Sequence, residues 1–551
     1  MLTVRQPCWS FGDWCPDAVH ASRRTTDSGQ NMFGRLGPGL NRLEGCPEIV
    51  PRILQLLGRK KRVWDLLAWV KCRRTAPILA NARPPARPLD PLLLVSWPLA
   101  YYLSLPGRRT GKIEDAFNGA SHPRSLTVHR QTASRFSSDY IQKGHLFSLP
   151  SHTPHIGNVL DRLKTSLSVA IWHFYPLAGR LATEVDTDGE GMYVHIDCND
   201  QGAEFTHAAA DGVTVDDVLA PSDDVPGFVR CFFPLDGAVN YDGLTLPLLA
   251  VQVTELADGI FLGCSFNHAV GDGTSFWNFL NAWAEIARSM EDRSSPRRIS
   301  RPPVHDRWFV DGKFPVKLPF TQEGQFVERF TPSLLREKMF HFTAQSVARL
   351  KARANAEAGT DKISSFQALS ALMWRCITRV RRFPDEQRTS CGFPAENRRR
   401  LKPPLAPDYF GNSIYLISTT TTAGELLAHD LGWVAVLLNQ CVASHTTDAA
   451  IRGKIERWMA SPVVYTVSAT FDRQSIIMGS SPRFDMYGCD FGWGRAVALR
   501  SGSANKFDGK VWTYPGRDGG GSVDLEVCLP PDGMCALEAD EEFIDAVSPA
   551  G

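Results

Sequence analysis

The chain has 551 residues, 43% hydrophobic and 22% charged, an ordinary globular composition that excludes disorder throughout and leaves room for two or three domains. Its net charge of +1 hides an asymmetry: residues 1–136 carry 21 Lys and Arg against 9 Asp and Glu, so the remainder is net acidic. Thirteen cysteines, odd in number and without a C-x-x-C pair, argue against a zinc ribbon or a dense disulfide framework and suit a reducing, cytoplasmic setting.

The basic, Pro- and Arg-rich stretch 1–136 reads as an extension of low order. Its one tight cationic cluster, Arg59-Lys-Lys-Arg62, lacks interleaved aromatics, so no nucleic-acid partner is expected. Leu92 to Leu105 is the most hydrophobic stretch, but it is short and interrupted by Pro98, so no membrane span is expected. The first residues lack the charged start and apolar core of a secretory signal, and Asp13, Asp17 and Asp27 weigh against a transit peptide.

From Ser137 the texture becomes regular. Apolar spacing predicts a helix over Asn158–Ala170, closed by Phe174-Tyr-Pro-Leu-Ala-Gly-Arg-Leu181, and then strands at 191–196, 248–254 and 259–267. Phe276, Phe279, Leu280, Trp283, Ile286, Ala287 and Met290 recur at helical spacing after Thr274. Residues 293–325, rich in Pro, Arg and Ser, read as a crossover between two halves. Helices are expected over 342–354, 364–379 and 425–442, and strands over 410–417, 497–500, 511–514 and 522–528. The pattern alternates α and β.

Between the strand 259–267 and the following helix stands His268-Ala-Val-Gly-Asp272. Histidine titrates nearest neutrality, so a positioned one takes a proton from a hydroxyl or amine and returns it, and His268 is the candidate general base. Gly271 and Gly273 are expected to allow a tight turn. Asp272 either orients the imidazole, as in a triad, or pairs with an arginine that holds the loop. No Gly-x-Ser-x-Gly elbow supplies a nucleophile, and no third ligand nearby completes a catalytic zinc site. A second Gly-rich signature, Asp490-Phe-Gly-Trp-Gly494, reads as a constrained structural corner; no kinase motif accompanies its Asp-Phe-Gly.

Tyr140-Ile-Gln-Lys-Gly144, Phe174 to Leu181, His268 to Gly273, Tyr409-Phe-Gly-Asn412 and Asp490 to Gly494 occur in one order, and together they resemble the plant BAHD family of acyl-CoA-dependent acyltransferases, in its uncharacterised acetyltransferase-like branch. The resemblance covers residues 137–545. It implies an α/β fold of two chloramphenicol acetyltransferase-like domains, 137–292 and 326–545, with a channel between them and 293–325 as the linker.

The resemblance further implies transfer of an acyl group from acyl-CoA, as co-substrate, to a hydroxyl or amine of a small acceptor, with His268 as base. No permanently bound cofactor or metal is implied, and the enzyme is expected to be a cytoplasmic monomer. Asp272 would be structural, directed toward an arginine, with Gly273 beside it. Asp490, Gly492, Trp493 and Gly494 would hold shape away from the chemistry. Where many members carry Thr-Ser-Trp, this chain has Gly479-Ser480-Ser481, so Ser480 or Ser481 is the candidate oxyanion or acceptor contact, in a wider pocket. The phosphates of coenzyme A call for basic groups, for which Arg398, Arg399, Arg400, Arg495, Arg500 and Lys506 are available. A lyase using the same cleft, or a catalytically silent regulatory relative, are the alternatives.

Overall fold

The computed structural model describes residues 93–95, 125–127, 134–149, 155–220, 224–290, 299–308, 316–331, 333–470 and 472–547. All lie in the unit spanning Asp90–Gly551. In chain order they form β1 (Leu93–Val95), β2 (Ser125–Thr127), β3 (Ile141–Ser148), α1 (Ile156–His173), β4 (Arg180–Val185), β5 (Met192–Asp197), β6 (Ala203–Ala209), α2 (Val215–Leu219), β7 (Leu249–Glu255), β8 (Gly259–Phe266) and α3 (Gly273–Ser289). Then follow β9 (Arg336–Phe342), α4 (Ala344–Glu357), α5 (Ser365–Arg381), β10 (Arg388–Glu396), β11 (Ile414–Thr422), α6 (Ala423–Ala428), α7 (Leu431–His445) and α8 (Asp448–Ala460). The chain ends in β12 (Ser475–Gly479), β13 (Ala498–Ser501), β14 (Lys510–Pro515), β15 (Val523–Leu529), α9 (Pro531–Glu538) and α10 (Glu541–Val547).

These strands make two six-stranded mixed sheets, ordered β1-β6-β7-β8-β3-β13 and β11-β10-β12-β14-β15-β9, and a small sheet β2-β5-β4. β13 comes from the later part of the chain yet pairs antiparallel with β3, Leu499 opposite His145, so the second half lends a strand to the first half's sheet. Each large sheet has its own apolar core. α1 and α3 pack on the first sheet through Leu163, Leu167, Phe276, Phe279 and Trp283, and the Trp283 indole N–H donates to Leu163 O and Ser166 Oγ on α1. α4, α5 and α7 cover the second sheet through Leu350, Leu372, Trp374, Leu438 and Ile476. β8 is buried along its whole length, which suits its nearly continuous apolar sequence, and its one hydroxyl, Ser265 Oγ, donates to Pro234 O.

Several sequence-based expectations need adjustment. Residues 425–442 are two helices, because the Asp430 side chain accepts from Trp433 N and starts a new helix there. Phe342 ends a strand rather than opening a helix; Thr343, whose Oγ1 accepts from Ser346 N, caps α4. The strand expected over 410–417 begins at Ile414 and runs to Thr422, since 409–413 are drawn into the site described next. The ordered fold also reaches upstream of residue 137: β2 pairs with β5, and Phe136 is fully buried against Tyr241 and Phe326.

Candidate active site

β8 delivers the chain into a turn that begins at Asn267. Its Oδ1 accepts from Ala269 N at 2.9 Å, and its Nδ2 donates to Asn240 O at 2.8 Å. The Asn240 side chain accepts from His268 N at 2.6 Å and also donates to Arg135 O. On the other side Asn412 Nδ2 donates to His268 O at 2.8 Å. The backbone of His268 is therefore held from two directions before its side chain is considered.

Asp272 closes the turn as N-cap of α3, accepting from Ser275 N at 3.1 Å. Its carboxylate is fully buried. It accepts from Arg398 Nη1 at 2.7 Å and Nη2 at 2.9 Å, and from Ser413 N at 2.8 Å. Burial alone raises a carboxyl pKa, but the Arg398 charge and these hydrogen bonds outweigh it, so the group is held below its ordinary value and stays ionised. Gly271 and Gly273 have no positive φ, contrary to the expectation drawn from sequence. What they supply is space: a Cβ on Gly271 would clash with Ser275 Cβ at 2.7 Å, and one on Gly273 would crowd the Phe484 ring at 3.2 Å.

His268 is half-buried and lines a cavity of about 1290 Å³ shared by both halves of the fold. Desolvation first, and the nearby Arg135 guanidinium second, push its imidazole well below the usual histidine value, so it is neutral around pH 7. Its Nδ1 is buried without a hydrogen-bond partner among the described residues. The cavity is larger than most single-ligand sites, which run to about 1000 Å³, and has room for two substrates at once.

Ser480 and Ser481 line the same cavity. Ser480 adopts φ 66°, the left-handed region that side chains resist, and Ser481 Oγ accepts from Arg483 N. Gly479 stands directly over Trp512 and Lys510: an added Cβ would lie 2.7 Å from the ring and 2.8 Å from the amine.

Asp490, Gly492, Trp493 and Gly494 do not line the cavity. Asp490 Oδ1 accepts from Gly492 N at 2.7 Å and Gly494 N at 3.0 Å, with both glycines at positive φ. Arg288 at the end of α3 donates to the Asp490 carbonyl, and Trp493 packs on Phe147 and Phe491.

Four of the six cations considered for the coenzyme A phosphates are already engaged, Arg400 among them through the Glu396 carbonyl. Arg398 is buried on Asp272, Arg500 donates to the carbonyls of Val218 and Leu219, and Lys506 pairs with Glu337 and Glu526. Arg495 lies over the Tyr487 ring and does not line the cavity, whereas Arg399 and Arg400 do.

Sequence reading passed over Asn240 and Arg135 at the turn, and Lys143, Lys510 and Trp512 in the cavity. Lys143 belongs to the Tyr140–Gly144 motif, which was the available signal for it; the others carry no local pattern. Among the described residues no cluster of His, Cys, Asp and Glu could hold a metal ion, and no helix is long and apolar enough to cross a membrane.

A family model described as Transferase family matches residues 134–544. An uncharacterized acetyltransferase of Arabidopsis thaliana is 39% identical over 413 residues, covering 74% of this chain and 91% of the relative. The BAHD acyltransferase DCR of the same plant is 38% identical over 396 residues, 70% of this chain and 80% of the relative. Among solved structures, F. sporotrichioides TRI101 complexed with coenzyme A and T-2 superposes with a TM-score of 0.60 at 17% identity, over 76% of this chain and 98% of that one, a likeness of fold. On the family match and these identities, the chain belongs to the BAHD family of acyltransferases and is itself an acyltransferase.

Proposed function

We propose that the protein transfers an acyl group from acyl-CoA to a hydroxyl or amine of a small acceptor, with His268 as general base. The observation that carries this reading is a neutral imidazole on a doubly braced turn, lining a cavity with room for donor and acceptor together. The acceptor O–H or N–H gives its proton to His268 as its heteroatom attacks the thioester carbonyl. The tetrahedral oxyanion takes a hydrogen bond, for which the Ser480 hydroxyl is our candidate, and collapses with cleavage of the C–S bond. The imidazolium returns its proton to the departing sulfur, giving free coenzyme A.

Arg399, with Ser364 and Ser365 at the start of α5, lines the cavity and is our candidate surface for the phosphates of coenzyme A. A cytoplasmic, monomeric enzyme completes the proposal; every cysteine among the described residues is free, which supports a reducing compartment. A panel of acyl-CoA donors against phenolic, alcoholic and amine acceptors, scored by release of the coenzyme A thiol and by mass of the product, tests the reading. Turnover without an acylated product would refute it.

A further inference from the structure

The cavity wall beneath Gly479 holds two lysines on one indole. Lys143 Nζ lies 3.9 Å and Lys510 Nζ 4.0 Å from the centroid of Trp512, and all three residues line the cavity. Lys143 donates to Tyr514 Oη at 2.7 Å; that hydroxyl donates to Glu526 Oε2 at 2.5 Å, and Lys506 bridges Glu526 and Glu337. Of the three amines, Lys506 meets both carboxylates and Lys143 reaches Glu526 through the Tyr514 hydroxyl, which leaves Lys510 without either. It is 6% exposed, and among the described residues no carboxylate or other acceptor meets its amine, only the rings of Trp512 and Phe507. Cys528 stands opposite Lys510 in register, but burial raises its thiol pKa and keeps it uncharged. Lys510, Arg135 and His268 line the same cavity, and Arg135 adds positive potential to the other two.

Burying an ammonium group without a counter-charge is costly, and the cost falls when an anion arrives. Desolvation lowers both Lys510 and Lys143 to about 7, so neither is firmly charged while the cavity is empty of an anion. A side chain at 479 would cover the Lys510 amine and the ring; glycine leaves them open.

We propose that Lys510, with Lys143 and the Trp512 ring, forms a subsite for a carboxylate carried by one of the two substrates. The inference rests on the acyltransferase reading for the identity of those substrates, but not for the binding itself. A carboxylate on the acceptor and one at the far end of a dicarboxylic acyl group present the same chemistry to the subsite, so the test has an arm for each.

Equilibrium binding, which requires no turnover, is measured by calorimetry on the full chain with 3-hydroxybenzoate against its methyl ester, and with malonyl-CoA against acetyl-CoA. In one of these pairs the carboxylate should bind about ten- to a hundredfold more tightly, the size expected of a charged hydrogen bond. Lys510→Met, which keeps an apolar stem against Trp512, should abolish that preference and leave the uncharged partner's affinity unchanged, while Lys510→Arg should retain part of it. The preference in the unaltered protein should also fall as pH rises above about 7, because the lysines then lose the proton that the anion needs; of the groups facing the same cluster, Glu526 is held well below that range and Lys506 and Cys528 are pushed well above it, while burial lowers Arg135 in the same direction as the lysines, so the loss of this pH dependence in Lys510→Met is what assigns it to Lys510. Equal affinities in both pairs, including no binding in either, would overturn the subsite. So would a Lys510→Met protein that weakens acetyl-CoA and malonyl-CoA alike, since the amine would then serve a coenzyme A phosphate. Retained carboxylate preference with no acyl transfer would leave the subsite standing and refute the proposed reaction instead.

Discussion

Arg398 grips both oxygens of Asp272 across 126 positions of sequence, at 2.7 and 2.9 Å, with both side chains buried. The same guanidinium donates to the carbonyls of Tyr409 and Gly411, so one residue joins the His268 turn to the segment that supplies Asn412. Four N–H groups meet the carboxylate: two of Arg398 and the backbone amides of Ser275 and Ser413.

Removing either partner strands a buried charge. Arg398→Ala or Asp272→Ala should destabilise the fold by about 3 to 5 kcal/mol, read as a lower urea midpoint, with activity falling in parallel. An Asp272→Ala protein of unchanged stability and no activity would instead assign the carboxylate to the chemistry.

The imidazole of His268 supplies a pH test. A base works unprotonated, and a lowered pKa keeps it so as the medium is acidified, so kcat/KM should hold level as pH falls through the ordinary histidine value of about 6.5. An acidic limb centred near that value, with the fold intact by circular dichroism, would contradict the lowered pKa of this half-buried imidazole.

Ser480 separates strain from chemistry. Glycine tolerates φ 66° better than serine, so Ser480→Gly should keep or slightly raise stability. If the hydroxyl holds the oxyanion, kcat should fall by about a hundred- to a thousandfold. Unchanged kcat would remove Ser480 from the mechanism.

The Asp490 loop should behave in the opposite way. Gly492→Ala and Gly494→Ala force a side chain into φ near 101° and 89°, and each should cost about 1 to 2 kcal/mol of stability. The KM values of the folded enzyme should stay as they were, because the loop lies outside the cavity. A change in KM without loss of stability would place the loop in substrate binding.

Local sequence revealed the elements whose apolar spacing is self-contained. The stripe from Phe276 to Ala287 is the buried face of α3, and the segment 259–267 is β8. It gave no strand over 388–396, the span of β10, which contains Gly392 and Pro394. β12 pairs only with Ser390 to Gly392, so Pro394 lies beyond its end and costs that ladder nothing. The His268 turn was visible because its residues are consecutive. Its braces were only partly visible: the segment Tyr409 to Asn412 stood out and an arginine partner was expected for Asp272, but nothing local singled out Arg398 as that partner or Asn240 as a brace, and Arg135 sits in a stretch whose composition resembled an extension. Lys510 was hidden for the same reason: on a β-strand its spacing says nothing of the indole and the empty space above it.

The most direct test of the account is the single-turnover rate of His268→Ala, followed by coenzyme A thiol release with an acceptor that the unaltered enzyme uses. The proposed mechanism requires a loss of about a hundred- to ten-thousandfold, at an unchanged unfolding midpoint and with acyl-CoA still bound. A folded His268→Ala protein that transfers the acyl group at the original rate would contradict it.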